Sequence, residues 1–133
     1  MKKHLRLLAI ICLSTCQIIH AQKYANTWYF GNKAGLDFND GASVAITNSA
    51  MDQLEGCSSI SDDNGNILFY TNGYTVWNKN HVPMANGTGL EGDETTTQSA
   101  CIVKKPGARI QCTIFSLQVQ KTMLQDFNII LLI

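Results

Sequence analysis

The sequence predicts an all-β fold, an antiparallel meander of short strands. Four dipeptides in which asparagine or aspartate precedes glycine punctuate its middle: Asp40-Gly41, Asn64-Gly65, Asn72-Gly73 and Asn86-Gly87. Such pairs accept the positive φ angles of tight hairpin turns. No window between residues 22 and 107 sustains the i, i+3, i+4, i+7 apolar spacing of an amphipathic helix over three turns, which argues against a helical or βαβ fold.

The segments between these turns are predicted strands because β-branched and aromatic residues are enriched in them. In chain order they are 27–30, 44–47, 57–61, 67–71, 75–77 and 100–103. Alternation along a strand places Trp28 and Phe30 on one face and Tyr29 on the other, and separates Phe69 from Tyr70 in the same way. We expect one set to join the core and the opposite set to face a partner.

The first twenty-one residues have the pattern of a signal peptide. Lys2, Lys3 and Arg6 precede an apolar stretch at 7–19, and Ala21 places a small residue before Gln22. The stretch is short for a bilayer span, so we predict export with cleavage after Ala21 and no stable membrane span afterwards. Two alternatives are a buried N-terminal strand or helix and, as a minor one, a lipoprotein signal ending at Cys16.

Length and charge exclude several classes of function. The 133 residues suit about one domain, and ten basic residues balance ten acidic ones, so the chain has no electrostatic footprint for nucleic acid or an anionic membrane surface. Without the leader, His81 is the only histidine, which excludes sites that need two or three imidazoles. Three cysteines remain, an odd number whose pairing is left open: Cys57, Cys101 and Cys112.

A glycine-rich sequence at Gly87-Thr88-Gly89-Leu90-Glu91-Gly92 matches the G-x-G-x-x-G pattern of dinucleotide-binding loops. That loop works between a strand and the N-terminus of a helix, where backbone amides face the pyrophosphate. Here it is followed by Asp93 and Glu94, which would repel phosphate. We therefore predict a flexible surface loop and no nucleotide cofactor.

The acidic sequence Asp62-Asp63-Asn64-Gly65-Asn66 has the alternating oxygen ligands of a calcium loop. An EF-hand starting at Asp62 needs glycine at its sixth position and glutamate at its twelfth, where this chain has Ile67 and Gly73. A type I′ hairpin explains these residues with fewer assumptions, so we predict no metal.

Catalysis has two weak candidates in the sequence. Glu55 with Asp62 or Asp63 would act as a glycosidase pair only if the fold holds two carboxyls at the required separation. His81 would act as the base of a serine nucleophile, but the sequence contains no Gly-x-Ser-x-Gly motif to supply that serine. We predict no catalytic residue. Because nine of the eleven aromatics lie between Tyr24 and Trp77, the candidate ligand-binding residues are aromatic, for stacking on a sugar ring or a protein partner: Trp28, Tyr70 and Trp77.

Three stretches of the chain have a recognisable sequence pattern: NTWYFGNKAGLDFNDG at 26–41, EGCSSISDDNGNILFYTNGYTVWNKNH at 55–81 and TQSACIVKKPG at 97–107. They resemble the N-terminal region of large secreted cell-surface proteins of the Bacteroidetes, which carry propeller-like repeats and end in a gliding-motility or type IX secretion sorting domain. The resemblance implies the start of a β-propeller, secretion, and display at the outer cell surface. It implies no catalytic residue.

The chain departs from that family in its length and in its tail. A propeller needs at least four blades, or about 160 residues at the usual repeat length, so region 22–107 corresponds to roughly two blades of an incomplete propeller. Residues 108–133 contain neither glycine nor proline. We interpret this tail as a truncated or frameshifted reading frame, with a C-terminal strand or short amphipathic helix as the alternative.

These observations predict a non-enzymatic, exported β module for adhesion or scaffolding, a fragment of a larger propeller protein. The expected partner is a surface protein or a glycan. A carbohydrate-binding module or a fragment of a glycan-active enzyme is the alternative. A third hypothesis is a gene remnant that does not fold alone, because an unclosed propeller leaves unpaired strand edges.

Overall fold

A computed structural model describes residues 22–90, 92–93 and 95–104, together with the backbone of two further strands at 112–117 and 127–132. The predicted leader at 1–21 lies outside these residues, as does most of the tail at 108–133. The described residues contain strands and turns and no helix, which confirms the all-β prediction. None of them forms a helix that could cross a membrane.

The described part of the chain contains ten strands, which form three antiparallel sheets, and in each sheet consecutive strands pair in chain order. The first sheet contains β1 (Thr27–Phe30), β2 (Ala34–Asp37) and β3 (Val44–Ile46). The second contains β4 (Ser58–Ser61), β5 (Ile67–Thr71), β6 (Thr75–Asn78) and β7 (Pro83–Thr88). The third contains β8 (Ala100–Lys104), β9 (Cys112–Leu117) and β10 (Phe127–Leu132). The predicted antiparallel meander is therefore present.

The second sheet lies between the first sheet and β8. Tyr70 on one face packs with Tyr29 and Met51 of the first-sheet region. Phe69 and Val76 on the opposite face pack against Ala100 of β8. Both faces of the second sheet thus have buried neighbours, from the first-sheet region on one side and from β8 on the other.

The two connections between sheets follow a common design. Residues 47–57 run from β3 past the β1–β2 turn, where Lys33 N–H donates to Met51 O over 2.8 Å and Gln53 N–H to Gly31 O over 3.2 Å. In the second connection, the described residues 89–90, 92–93 and 95–99 run from β7 past the β5–β6 turn, where Leu90 N–H donates to Tyr74 O over 3.0 Å. Each connection is thereby hydrogen-bonded to a hairpin turn at one end of the sheet that it leaves.

The β4–β5 hairpin turns by a different geometry from the one predicted. A type I′ turn requires positive φ at both Asn64 and Gly65, but only Gly65 has it, at +91°. Gly65 N–H donates to Asp62 O over 3.0 Å, which closes a four-residue turn at 62–65 whose last residue is the left-handed Gly65. The hairpin is present, and the type I′ prediction is wrong.

The dipeptide Asn86-Gly87 does not form a hairpin turn, contrary to the sequence prediction. It lies inside β7, where Asn86 has a φ of +57°. The pairing of β6 with β7 shifts register between Thr75 and Trp77, so the dipeptide belongs to a bulge in an edge strand.

Candidate functional site

The first sheet presents an apolar surface that we call the outer aromatic face, formed by Trp28, Phe30, Leu36 and Phe38. Trp28 pairs with Leu36, so these residues share one side of the sheet. Trp28 is 47% exposed and Phe30 36% exposed. The Trp28 ring is tilted against Phe38, with ring centroids 5.1 Å apart, and its indole N–H donates to Ala25 O over 2.6 Å. The indole is therefore held in place with much of its surface open.

The opposite side of β1 is buried, as alternation along the strand predicts. Thr27 and Tyr29 point inward, while Trp28 and Phe30 point outward. Gly35 makes room for the inward ring, because a Cβ at that position would lie 2.8 Å from an atom of the Tyr29 ring and 2.5 Å from Trp28 O. The glycine thus allows the Tyr29 ring to lie directly over β2 on the buried face.

A second group of aromatic residues joins the first and second sheets, and we call it the inner aromatic cluster: Tyr29, Tyr70, Trp77 and His81. Tyr70 stacks on Trp77 with an interplanar angle of 17° and centroids 5.4 Å apart. Tyr29 lies 4.6 Å from Tyr70 and meets His81 edge-on at 5.6 Å. Such offset and edge contacts stabilise aromatic pairs beyond the burial of their area.

Hydrogen bonds fix the orientation of this cluster. The Tyr70 oxygen accepts the Ala50 N–H at 2.9 Å and lies 3.0 Å from His81 Nδ1. The Tyr70 hydroxyl donates to Nδ1 in the tautomer that carries its hydrogen on Nε2, since the donor and acceptor roles follow the tautomer. The Tyr29 hydroxyl donates to Asn48 Oδ1 over 3.1 Å. Nδ1 of His81 is thus engaged with Tyr70 inside the cluster.

The structure does not bring the three sequence-predicted ligand residues together. Trp28 lies on the outer aromatic face, whereas Tyr70 and Trp77 lie in the inner cluster. Tyr70 is 0% exposed, so the expectation that its ring faces a partner is wrong. The reason is that the second sheet has neighbours on both faces, which buries Phe69 and Tyr70 alike. Trp77 is half-buried against Tyr70.

Two ionisable groups at the joint between the sheets are held in their neutral forms. Burial raises the pKa of the Tyr29 hydroxyl, and the neighbouring Tyr70 adds to this shift. Burial also raises the pKa of the Cys57 thiol, against a smaller opposing effect of its hydrogen bond with the Gly31 backbone. A thiol that resists ionisation is a poor nucleophile, and Cys57 packs against Tyr29, Met51 and Tyr70.

The candidate carboxylates are dispersed and engaged in local structure. Asp62 accepts the N–H groups of Asn64 and Asn66 and the Asn66 side-chain amide, whose bond is the main cause of its lowered pKa. Glu55 accepts the Thr97 hydroxyl at 3.0 Å, beyond the opposite end of β4. The described residues contain no group of three histidine, cysteine or acidic side chains placed to hold a metal ion.

Asp63 belongs to a contact that joins distant parts of the chain, which we call the Lys104 latch: Tyr24, Asp63 and Lys104. Lys104 Nζ lies 3.7 Å from the centroid of the Tyr24 ring and donates to the Tyr24 hydroxyl. The same ammonium is 3.5 Å from an Asp63 oxygen. Tyr24 O also accepts the Ser61 N–H at 2.8 Å, so the segment before β1 is fastened to both β4 and β8.

The glycine-rich sequence has a structural role. Gly87 is buried in β7, and Gly89 turns the chain with a φ of +71°. Gly92 N–H donates to Gly73 O over 3.0 Å, and a Cβ on Gly92 would lie 2.4 Å from the Gly73 carbonyl. The glycines allow close backbone contact between the connection and the β5–β6 turn, which corrects the predicted flexible loop.

The outer aromatic face was only partly identifiable from the sequence. Trp28 and Phe30 follow from alternation, but Leu36 and Phe38 join them through the pairing of β2, a strand that the sequence did not predict. Comparisons with protein-family models, with curated proteins and with solved structures find no match to this chain.

Proposed function

We propose that this chain is a non-enzymatic β module of an exported cell-surface protein and supplies the opening sheets of a larger propeller-like structure. One observation carries the proposal. The first sheet and β8 pack on opposite faces of the second sheet, and the outer aromatic face of the first sheet keeps Trp28 and Phe30 exposed. A further sheet or a partner on that face would continue the stack.

The use of the polar side chains supports binding or scaffolding in preference to catalysis. His81 bonds Tyr70, Asp62 stabilises its own turn, and Asp63 pairs with Lys104. Each of these groups is engaged in holding secondary structure or joining sheets. The functional surface is therefore an apolar one that recognises a partner by shape and stacking.

Export and surface display are tested together in cells that produce the full chain. We expect the protein in the exported fraction, accessible to external protease, with Gln22 as its first residue. A cytoplasmic protein that retains Met1 would contradict the proposal. Reading the DNA downstream of codon 107 in the other frames tests the larger propeller: strands with turn signals like those at 55–81 are expected, and their absence would contradict it.

A carbohydrate-binding role is the second candidate, favoured by the fixed and exposed Trp28 indole, whose ring could stack on a sugar. The test is glycan-array binding with Trp28→Ala and, as a control of similar exposure, Tyr74→Ala in the β5–β6 turn, where Tyr74 is 55% exposed. Loss of binding in Trp28→Ala alone would support a glycan site. Equal binding by both variants would exclude Trp28 as its platform.

A further inference from the structure

The two outer strands of the first and second sheets differ in how their free edges are protected. The edge strand β7 contains Pro83, which has no N–H to donate, and a bulge at Asn86. Proline and bulges at sheet edges block pairing with another chain. The edge strand β3 has neither, and residues 41–51 contain no charged side chain.

The hydrogen bonds of the first sheet show which backbone groups of β3 point outward. On β1, the Tyr29 N–H and the Thr27 carbonyl bond the Ser59 hydroxyl of β4. They therefore face away from β2, and the alternation of backbone groups across an antiparallel sheet can be followed from there.

Trp28 and Phe30 bond Leu36 and Ala34, which leaves Gly35 and Asp37 to bond β3. Their partners are Ile46 and Val44, so the N–H and carbonyl of Ala45 point away from the sheet. No backbone hydrogen bond joins β3 to any described residue outside β2. Val44 is 52% exposed at this edge.

We infer that β3 is a dimerisation edge, which pairs antiparallel with β3 of a second copy of this chain about a two-fold axis at Ala45. In this register the two Ala45 residues exchange N–H to carbonyl hydrogen bonds, and Ser43 of each copy pairs with Thr47 of the other. Val44 of one copy lies opposite Ile46 of the other, a pairing of β-branched side chains that stabilises antiparallel strands.

A second copy is a compatible occupant of this edge because the strand that it brings carries no charge. Symmetric pairing brings identical segments together, and charged residues in them would repel. The uncharged stretch at 41–51 avoids this conflict. The two first sheets would then form one continuous six-stranded sheet.

The test is the oligomeric state of the full chain, measured by sedimentation equilibrium over a range of concentrations. We expect a dimer. We expect Val44→Lys to raise the dissociation constant of the dimer about tenfold or more, because the substitution places two ammonium groups beside the shared axis. The matched control is Val82→Lys in the β6–β7 turn, where the valine is 54% exposed. This control is expected to leave the dissociation constant unchanged.

Ala45→Pro is the second variant, since it removes the outward N–H, and circular dichroism checks that it folds. A wild-type chain that stays monomeric overturns the inference, even if it binds an extended peptide along β3. So does a dimer that Val44→Lys leaves intact, or assembly into open-ended oligomers. Slow hydrogen exchange of the Ala45 amide that becomes fast in the Val44→Lys monomer supports the inference.

Discussion

The Tyr70 hydroxyl lies 3.0 Å from His81 Nδ1, at the joint between the first two sheets. Tyr70 is fully buried, and its oxygen already accepts the Ala50 N–H. The hydroxyl proton therefore depends on His81 for a partner. His81 itself has a φ of +62°, a left-handed conformation that side chains adopt at a cost, so the turn holds the imidazole where Tyr70 needs an acceptor.

We predict that His81→Asn lowers the free energy of unfolding by about 1–3 kcal/mol, because it strands a buried donor. Asparagine tolerates positive φ, so backbone strain does not explain the loss. Tyr70→Phe removes the hydroxyl donor together with its hydrogen bond to His81. The double variant should therefore lose less free energy of unfolding than the sum of the two single variants. Urea unfolding of the four proteins gives the coupling. Additive losses would show that the two side chains act independently.

A second prediction concerns Gly65, whose hydrogen atoms face the side chain of Asn39. A Cβ at Gly65 would lie 1.8 Å from Asn39 Oδ1, and Asn39 Nδ2 donates to Gly65 O over 3.1 Å. Gly65→Ala therefore carries both the strain of positive φ, about 1–2 kcal/mol, and the displacement of Asn39. Thermal or urea unfolding measures the total loss.

Gly41→Ala is the matched control, since Gly41 has a φ of +82° and nothing within 4 Å of its Cβ position. We expect Gly65→Ala to cost about 1 kcal/mol more than this control, the net worth of the displaced hydrogen bonds. Adding Asn39→Ala should remove most of the excess. Equal losses in the two glycine variants would mean that Asn39 moves aside freely.

The sequence predicted strands best where local and tertiary signals agree. The strands at 27–30 and 67–71 have the predicted bounds, because both combine β-prone side chains with turn residues nearby. The strand β2 was missed because it contains glycine and aspartate, which are depleted in strands. Gly35 is present because the Tyr29 ring covers it, a tertiary reason that the local sequence does not display.

The candidate site was harder to predict for a related reason. Alternation separates the two faces of a strand, but it does not tell whether a second layer covers the outward face. For Trp28 that face is open, and for Tyr70 it is covered by the first sheet. The stacking of consecutive sheets decides the outcome, and it depends on residues more than 40 positions apart, such as Tyr29 and Tyr70.

The third prediction concerns the Lys104 latch. Its ion pair with Asp63 is partly exposed, so Asp63→Asn should lower stability only slightly, and high salt should reduce that loss. Lys104→Met also loses the contact with the Tyr24 ring, so it should lower stability more than Asp63→Asn does. The direct readout is hydrogen exchange of the Ser61 amide, which bonds Tyr24 O.

We expect Lys104→Met to accelerate exchange at Ser61 several-fold, as the segment before β1 separates from β4. Lys79→Met, at an exposed position, is the control for loss of one positive charge. If both variants leave exchange at Ser61 unchanged, the latch does not hold the segment, and the Tyr24 backbone bond alone retains it.

The last prediction concerns alkaline pH, and it follows from the raised pKa values of Cys57 and Tyr29. Between its unfolded and its folded pKa, each group binds more protons in the folded chain than in the unfolded chain. Stability therefore decreases as pH rises through that window. It is fully present below the ordinary values, 9.0 for the thiol and 10.0 for the phenol.

Cys57→Ala isolates the contribution of the thiol to the pH dependence of stability. The pH window of the thiol begins lower than that of the phenol, because its ordinary pKa is 9.0 and that of the phenol is 10.0. Each group contributes a slope of at most about 1.4 kcal/mol per pH unit, and the variant should lack the thiol's share just above pH 9.0. Its loss of packing lowers stability at every pH and leaves the slope unaffected. Tyr29→Phe should flatten the curve at higher pH instead. Urea unfolding at half-unit pH steps measures both slopes, and a Cys57→Ala curve parallel to that of the wild type would show that the thiol ionises as easily folded as unfolded.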